Sequence, residues 1–144
     1  MIRDTVVAHL GESFTAYRDL AGSLPKEALD QKLSIPSNTI GAQFWCVVGA
    51  RESYTRAIEN GEWVGFSCSL SGEDVVVQSR VVEALERSEA EFDRVVTQSE
   101  QTESRDKLML YLLEHEIQHQ GQLLRFVYGL GYEFPDTWVQ RWQL

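Results

Sequence analysis

The chain's chemistry is concentrated in one string, His115-Glu116-Ile117-Gln118-His119-Gln120-Gly121-Gln122. Histidines four residues apart leave the same face of a helix one turn from each other, so both imidazoles can converge on a single divalent metal. They fall in the row Leu108, Leu112, His115, His119, Gln122, Phe126, whose apolar members mark an inward face. Two inward histidines need partners. Each is either a neutral core residue satisfied by a backbone carbonyl or by Gln122, or a metal ligand, and the paired spacing favours the ligand.

Read literally, the string is also H-E-x-x-H, the zinc-protease pattern, with Glu116 as general base. Three features oppose that reading. No histidine follows His119, the nearest downstream carboxylate is Glu133 beyond the helix-ending glycines, and no edge strand is predicted to hold an extended peptide. Glu116 lies about 100° round the helix from His115 and reads as solvent-facing or as a support to the ligands.

A third ligand has to come from another helix, since zinc sites take at least three protein ligands. His9 sits beside the apolar stripe of its own helix. Cys46 is more suggestive, in a row of small side chains (Ala42, Cys46, Ala50, Ser53, Ala57) with Gly49 alongside, which leaves space for a helix or a ligand. It reads either as a thiolate ligand or as a small buried hydrophobe. Cys46 and Cys68 are the only cysteines, too few for a disulfide scaffold, and are expected as thiols.

Four amphipathic stretches must position these groups. The first runs from about Ile2 to Ala21, with Ile2, Val6, Leu10, Phe14 and Tyr17 on one face, closed by Gly22 and Pro25. The second opens at the N-cap candidates Asn38 and Thr39 and stops at Asn60-Gly61, with a stripe of Ile40, Phe44, Val47, Val48, Tyr54 and Ile58. Residues 61 to 71 form a long connection whose Trp63 and Phe66 must pack somewhere. The third is expected from Ser71 and Asp74 to Gln98, taking Val75-Val76-Val77 as helix because Val81, Leu85, Phe92 and Val96 keep the helical period. The fourth begins at Ser104 and Asp106, reaches Tyr128 and ends on Gly129 and Gly131, followed by an aromatic tail from Phe134 to Trp142. With no convincing strand, repeat or composition break, the expectation is one all-α domain over residues 1–144, a four-helix bundle with its site among facing helices.

Composition narrows the partners. Thirteen Lys and Arg against 22 Asp and Glu give a net charge of −9, which repels phosphate backbones and anionic membranes. No apolar run approaches the roughly 20 residues of a membrane span, and Met1-Ile2-Arg3-Asp4 leads into a mixed polar stretch unlike a signal peptide. The expected location is the cytoplasm.

Asn38-Thr39-Ile40-Gly41-Ala42-Gln43-Phe44-Trp45-Cys46, His115 to Gln122, and the closing Leu130-Gly131 with Pro135 together resemble the DinB/YfiT-like superfamily of bacterial four-helix-bundle proteins. The likeness covers nearly the whole chain. It implies a bundle with a long crossover between helices two and three, usually a homodimer. It also implies zinc or nickel held by one histidine of helix two and two of helix four, and activity as a metal-dependent hydrolase or as an S-transferase using a thiol of the bacillithiol or mycothiol type. The helix-four ligands carry over to His115 and His119. The helix-two histidine falls where this chain has Cys46, so the third ligand is a thiolate or the site is weakened. The alternative is a metal-free, non-catalytic bundle that binds a small apolar ligand or a protein partner.

Overall fold

The computed structural model describes residues 2–144; Met1, where the reading of the N-terminus starts, lies outside them. Those residues form five α-helices, two short 3-10 turns and no strand: α1 (Ile2–Ser23), a turn at Lys26–Asp30, α2 (Ile40–Asn60), a turn at Asp74–Val76, α3 (Gln78–Gln98), α4 (Glu103–Leu130) and α5 (Asp136–Trp142). No helix among them is long and apolar enough to cross a membrane.

Side-chain caps and left-handed glycines set the helix ends. Thr39 Oγ1 accepts the Ala42 N–H at 3.0 Å, and Gly61 closes α2 with φ of 82°, where a Cβ would be strained. For α4 the cap is Thr102, two residues before the expected Ser104, and Gly131 (φ 74°) ends the helix. Gly129 stays inside it.

The valine run is where expectation and structure part. Asp74–Val76 make a single 3-10 turn, Val77 is extended, and α3 starts at Gln78. The turn has a job at the start of α2. A Cβ on Gly41 would lie 2.4 Å from the Val75 carbonyl oxygen and 2.9 Å from that of Leu29, so only glycine lets both backbones close over this helix. The Thr-Ile-Gly opening therefore reads physically as a cap, a buried Ile40 and a backbone contact.

α2 packs against α3 and α4, and α1 packs against the same two helices. Arg94 near the end of α3 pairs with Glu59 near the end of α2 at 3.0 Å, while the turn before α3 sits on the start of α2, so these neighbours run parallel. The chain between them must travel back along α2, and its contacts trace that path. The Ser67 N–H donates to Ser53 Oγ at 3.0 Å, the Ser69 N–H to Glu52 at 2.8 Å, and Trp45 Nε1 to the Leu70 carbonyl at 3.1 Å. Phe66 lies against Gly49, where a Cβ would meet the ring at 2.4 Å, and Trp63 packs on Tyr54. The space offered by the small side chains is thus filled on this flank by the connection.

The aromatic tail folds back as α5. Trp138 is fully buried, donates Nε1–H to the Ala16 carbonyl at 2.6 Å and meets Tyr17 edge-on. Its apolar surface is used within its own chain.

Candidate functional site

Along α4 the fully inward row is Met109, Leu112, Glu116, Gln120, Leu123 and Val127, which shares Leu112 with the row expected to hold the histidines and is otherwise displaced from it by one residue. At its centre is a carboxylate. Glu116 is wholly buried and cannot be solvent-facing, because α2 supplies Arg51, also wholly buried: Nε lies 2.7 Å from Oε1 and Nη2 3.1 Å from Oε2. Ser13 donates its hydroxyl to Oε2 at 2.7 Å, and the Tyr17 hydroxyl donates to the Glu116 carbonyl at 2.5 Å. The Arg51 guanidinium also stacks over Phe14, 4.2 Å from its centroid, with Tyr17 at 5.2 Å. A carboxylate held by this many donors is a structural anion and not a general base, which removes the last basis for the protease pattern.

The network continues toward the C-terminus. Gln120 donates to Ser13 Oγ at 2.6 Å, and its carbonyl accepts from Arg141 at 3.0 Å and Trp142 at 3.2 Å, tying α5 to α1 and α4.

His115 and His119 occupy the flank of this row, their ring centroids 4.5 Å apart. His119 is buried and His115 partly so. Burial pushes both imidazoles toward the neutral form. For His119 burial, aided by neighbouring His115, brings the pKa down to about 4, and for His115 burial outweighs the opposing pull of Glu116. Neutral imidazoles are the form that binds metals. The expected partner of the pair, Gln122, acts at one remove: His119 Nδ1 lies 2.5 Å from Gln43 Oε1, and Gln43 in turn donates to Gln122 at 2.7 Å. His115 Nδ1 is buried without a hydrogen-bond partner.

Two adjacent neutral imidazoles, one with an orphaned ring nitrogen, fit the donor chemistry of zinc or nickel. A complete set is not assembled. Among the described residues no group of three or more His, Cys, Asp or Glu is placed to hold a metal ion. His9 stands apart on α1, 3.6 Å from Glu12. Cys46 is partly buried on α2, three residues after Gln43, and burial raises its thiol pKa. The Cys68 thiol is pushed up to about 11, mainly by burial, and lies 3.5 Å from the Trp45 carbonyl. Both cysteines are free thiols.

Sequence reasoning missed Arg51, Ser13 and Gln43. The spacing of Arg51 did carry a signal, one charge in the apolar face that runs from Phe44 through Val47 and Val48 to Ile58.

Fold and site together define an all-helical protein with a buried Arg–Glu pair beneath a histidine pair on its last long helix. The chain belongs to the DinB family, whose model matches residues 1–142. No curated protein matches the chain.

Proposed function

We propose that this DinB-family chain, one domain over residues 1–144, is a cytoplasmic metal-dependent enzyme acting on a small molecule at His115 and His119. S-transfer from a low-molecular-weight thiol of the bacillithiol or mycothiol type is the first reaction class, and hydrolysis the second. The observation that carries the reading is the pair itself: adjacent imidazoles, 4.5 Å between centroids, both biased to the neutral state at pH 7. A zinc or nickel ion bound there would lower the pKa of a thiol or a water and so supply a nucleophile at neutral pH. His115 and His119 would hold the ion. Cys46, at the position of the family's helix-two histidine, is the proposed third ligand. The arrangement is read as the DinB-type four-helix bundle with its crossover over residues 61–77, working as a homodimer.

A second reading has its own support. Cys46 in place of the histidine that the family resemblance implies on helix two favours a metal-free bundle that binds a small apolar ligand or a protein partner and catalyses nothing. Elemental analysis of protein purified without an affinity tag and reconstituted with zinc or nickel decides between them. About one ion per chain supports the enzyme; none after reconstitution establishes the metal-free bundle. Sedimentation at tens of micromolar tests the homodimer, since an ordinary interface is occupied at that concentration.

A further inference from the structure

We propose that Gln43 is a positioning residue that locks His119 in its Nδ1–H tautomer and leaves Nε2 as the nitrogen that carries the lone pair. The use of that lone pair for a metal rests on the function proposed above; the tautomer does not.

Gln43 is 2 % exposed, so its amide must find partners inside the protein. Its nitrogen lies 2.9 Å from Asn38 Oδ1 and 2.7 Å from Gln122 Oε1, and its oxygen 2.5 Å from His119 Nδ1. An amide NH2 has two protons and meets two acceptors here, while the carbonyl oxygen accepts only, so the ring nitrogen facing it has to donate. Turning all three amides over reverses the contact, with Gln43 then donating to an unprotonated Nδ1. That arrangement leaves the second Gln43 N–H unpaired in a buried position, which is the costlier state.

The consequence is chemical. A neutral imidazole has one lone pair, and the bond made by one nitrogen decides which atom keeps the other free. Metal-binding histidines are oriented by such outer contacts. Gln43 stands on α2 and His119 on α4, so the contact also fixes the ring relative to the helix that carries Cys46.

Long-range proton–nitrogen correlation spectra of the metal-free protein read the tautomer directly. The expected result is a protonated Nδ1 and an unprotonated Nε2 at His119, with Gln43→Leu losing this preference and Gln43→Glu, which keeps an acceptor, retaining it. Should Gln43→Leu fail to fold, Gln122→Ala removes one acceptor of the Gln43 amide at an exposed position and is expected to weaken the preference. A protonated Nε2 in the parent overturns the proposal. Zinc affinity by chelator competition is the second readout: Gln43→Leu is expected to bind roughly 10- to 100-fold more weakly, and Gln43→Glu to keep most of the affinity. A parent that binds zinc and a Gln43→Leu variant that binds it equally well overturn the positioning role. If the parent binds no zinc yet shows an Nδ1–H that Gln43→Leu loses, Gln43 still positions His119 and only the metal reading falls.

Discussion

Arg51 of α2 and Glu116 of α4 meet in the middle of the protein with neither side chain exposed, Nε 2.7 Å from Oε1. The pair lies where the two apolar clusters of the core adjoin, the guanidinium resting between Phe14 of one and Tyr17 of the other. Burying two charges is costly, and what offsets it is the completeness of the bonding around the carboxylate. Removing either partner is therefore expected to be far worse than removing both. Glu116→Ala or Arg51→Ala should lose about 3 to 5 kcal/mol in urea unfolding, as each strands a buried charge, whereas Arg51→Met with Glu116→Leu should recover much of that loss. A loss of under 1 kcal/mol for Glu116→Ala would show that the ion pair is not formed as described.

Because Glu116 is a structural anion, Glu116→Gln should keep whatever metal affinity the parent has, provided that it folds. A protease-type general base would leave metal affinity intact as well, so the distinguishing measurement is stability. Glu116→Gln is expected to shift the unfolding midpoint strongly, which a catalytic carboxylate at a solvated site would not do.

The His119 pKa of about 4 against an ordinary 6.5 has a definite sign. Between those values the unfolded chain binds a proton that the folded chain refuses, so stability is full above pH 6.5 and falls as pH drops toward 4, where the effect levels off. The contribution is on the order of 1 to 3 kcal/mol, with His115 adding in the same direction. His119→Gln should flatten this part of the pH–stability curve. An unchanged acid limb in that variant would contradict the neutral buried imidazole.

Metal binding, if it occurs through the pair, should be abolished in His119→Ala. Cys46→Ala separates the two roles of the cysteine: a thiolate ligand predicts loss of metal affinity, a core thiol only a modest change in stability. Cys46→His is the sharper variant, because it restores the three histidines that the family resemblance implies. A folded Cys46→His protein that takes up neither zinc nor nickel would show that Cys46 does not stand opposite His115 and His119.

Gly41 offers a test outside the site. Its missing Cβ is filled by the Val75 and Leu29 carbonyl oxygens, which are backbone and cannot rotate away, so Gly41→Ala is expected to cost about 1 to 3 kcal/mol despite the better helix propensity of alanine. Gly121, with open space around it in α4, is the control. There the same substitution should be neutral or stabilising.

The sequence by itself determined the helical elements wherever a local device sets them. Thr39 and Gly61 bound α2, Gly131 ends α4, and both can be read in one dimension because a cap or a left-handed glycine acts within a few residues. The closeness of His115 and His119 was legible for the same reason, one turn of one helix. The tertiary structure alone decided which way α4 faces. Hydrophobicity excluded Glu116 from the interior and moved the inward row onto the histidines, and only the arrival of Arg51 from α2, 65 residues away in the chain, makes a buried carboxylate tolerable. The same holds for Val75 to Val77, whose period suited a helix but whose backbone is held as a turn against Gly41, and for Gln43, whose amide meets His119 only once α2 and α4 lie side by side. Helical period is a property of neighbours in sequence, whereas the partner that satisfies a buried charge or orients a ring comes from another helix and leaves no trace in local spacing.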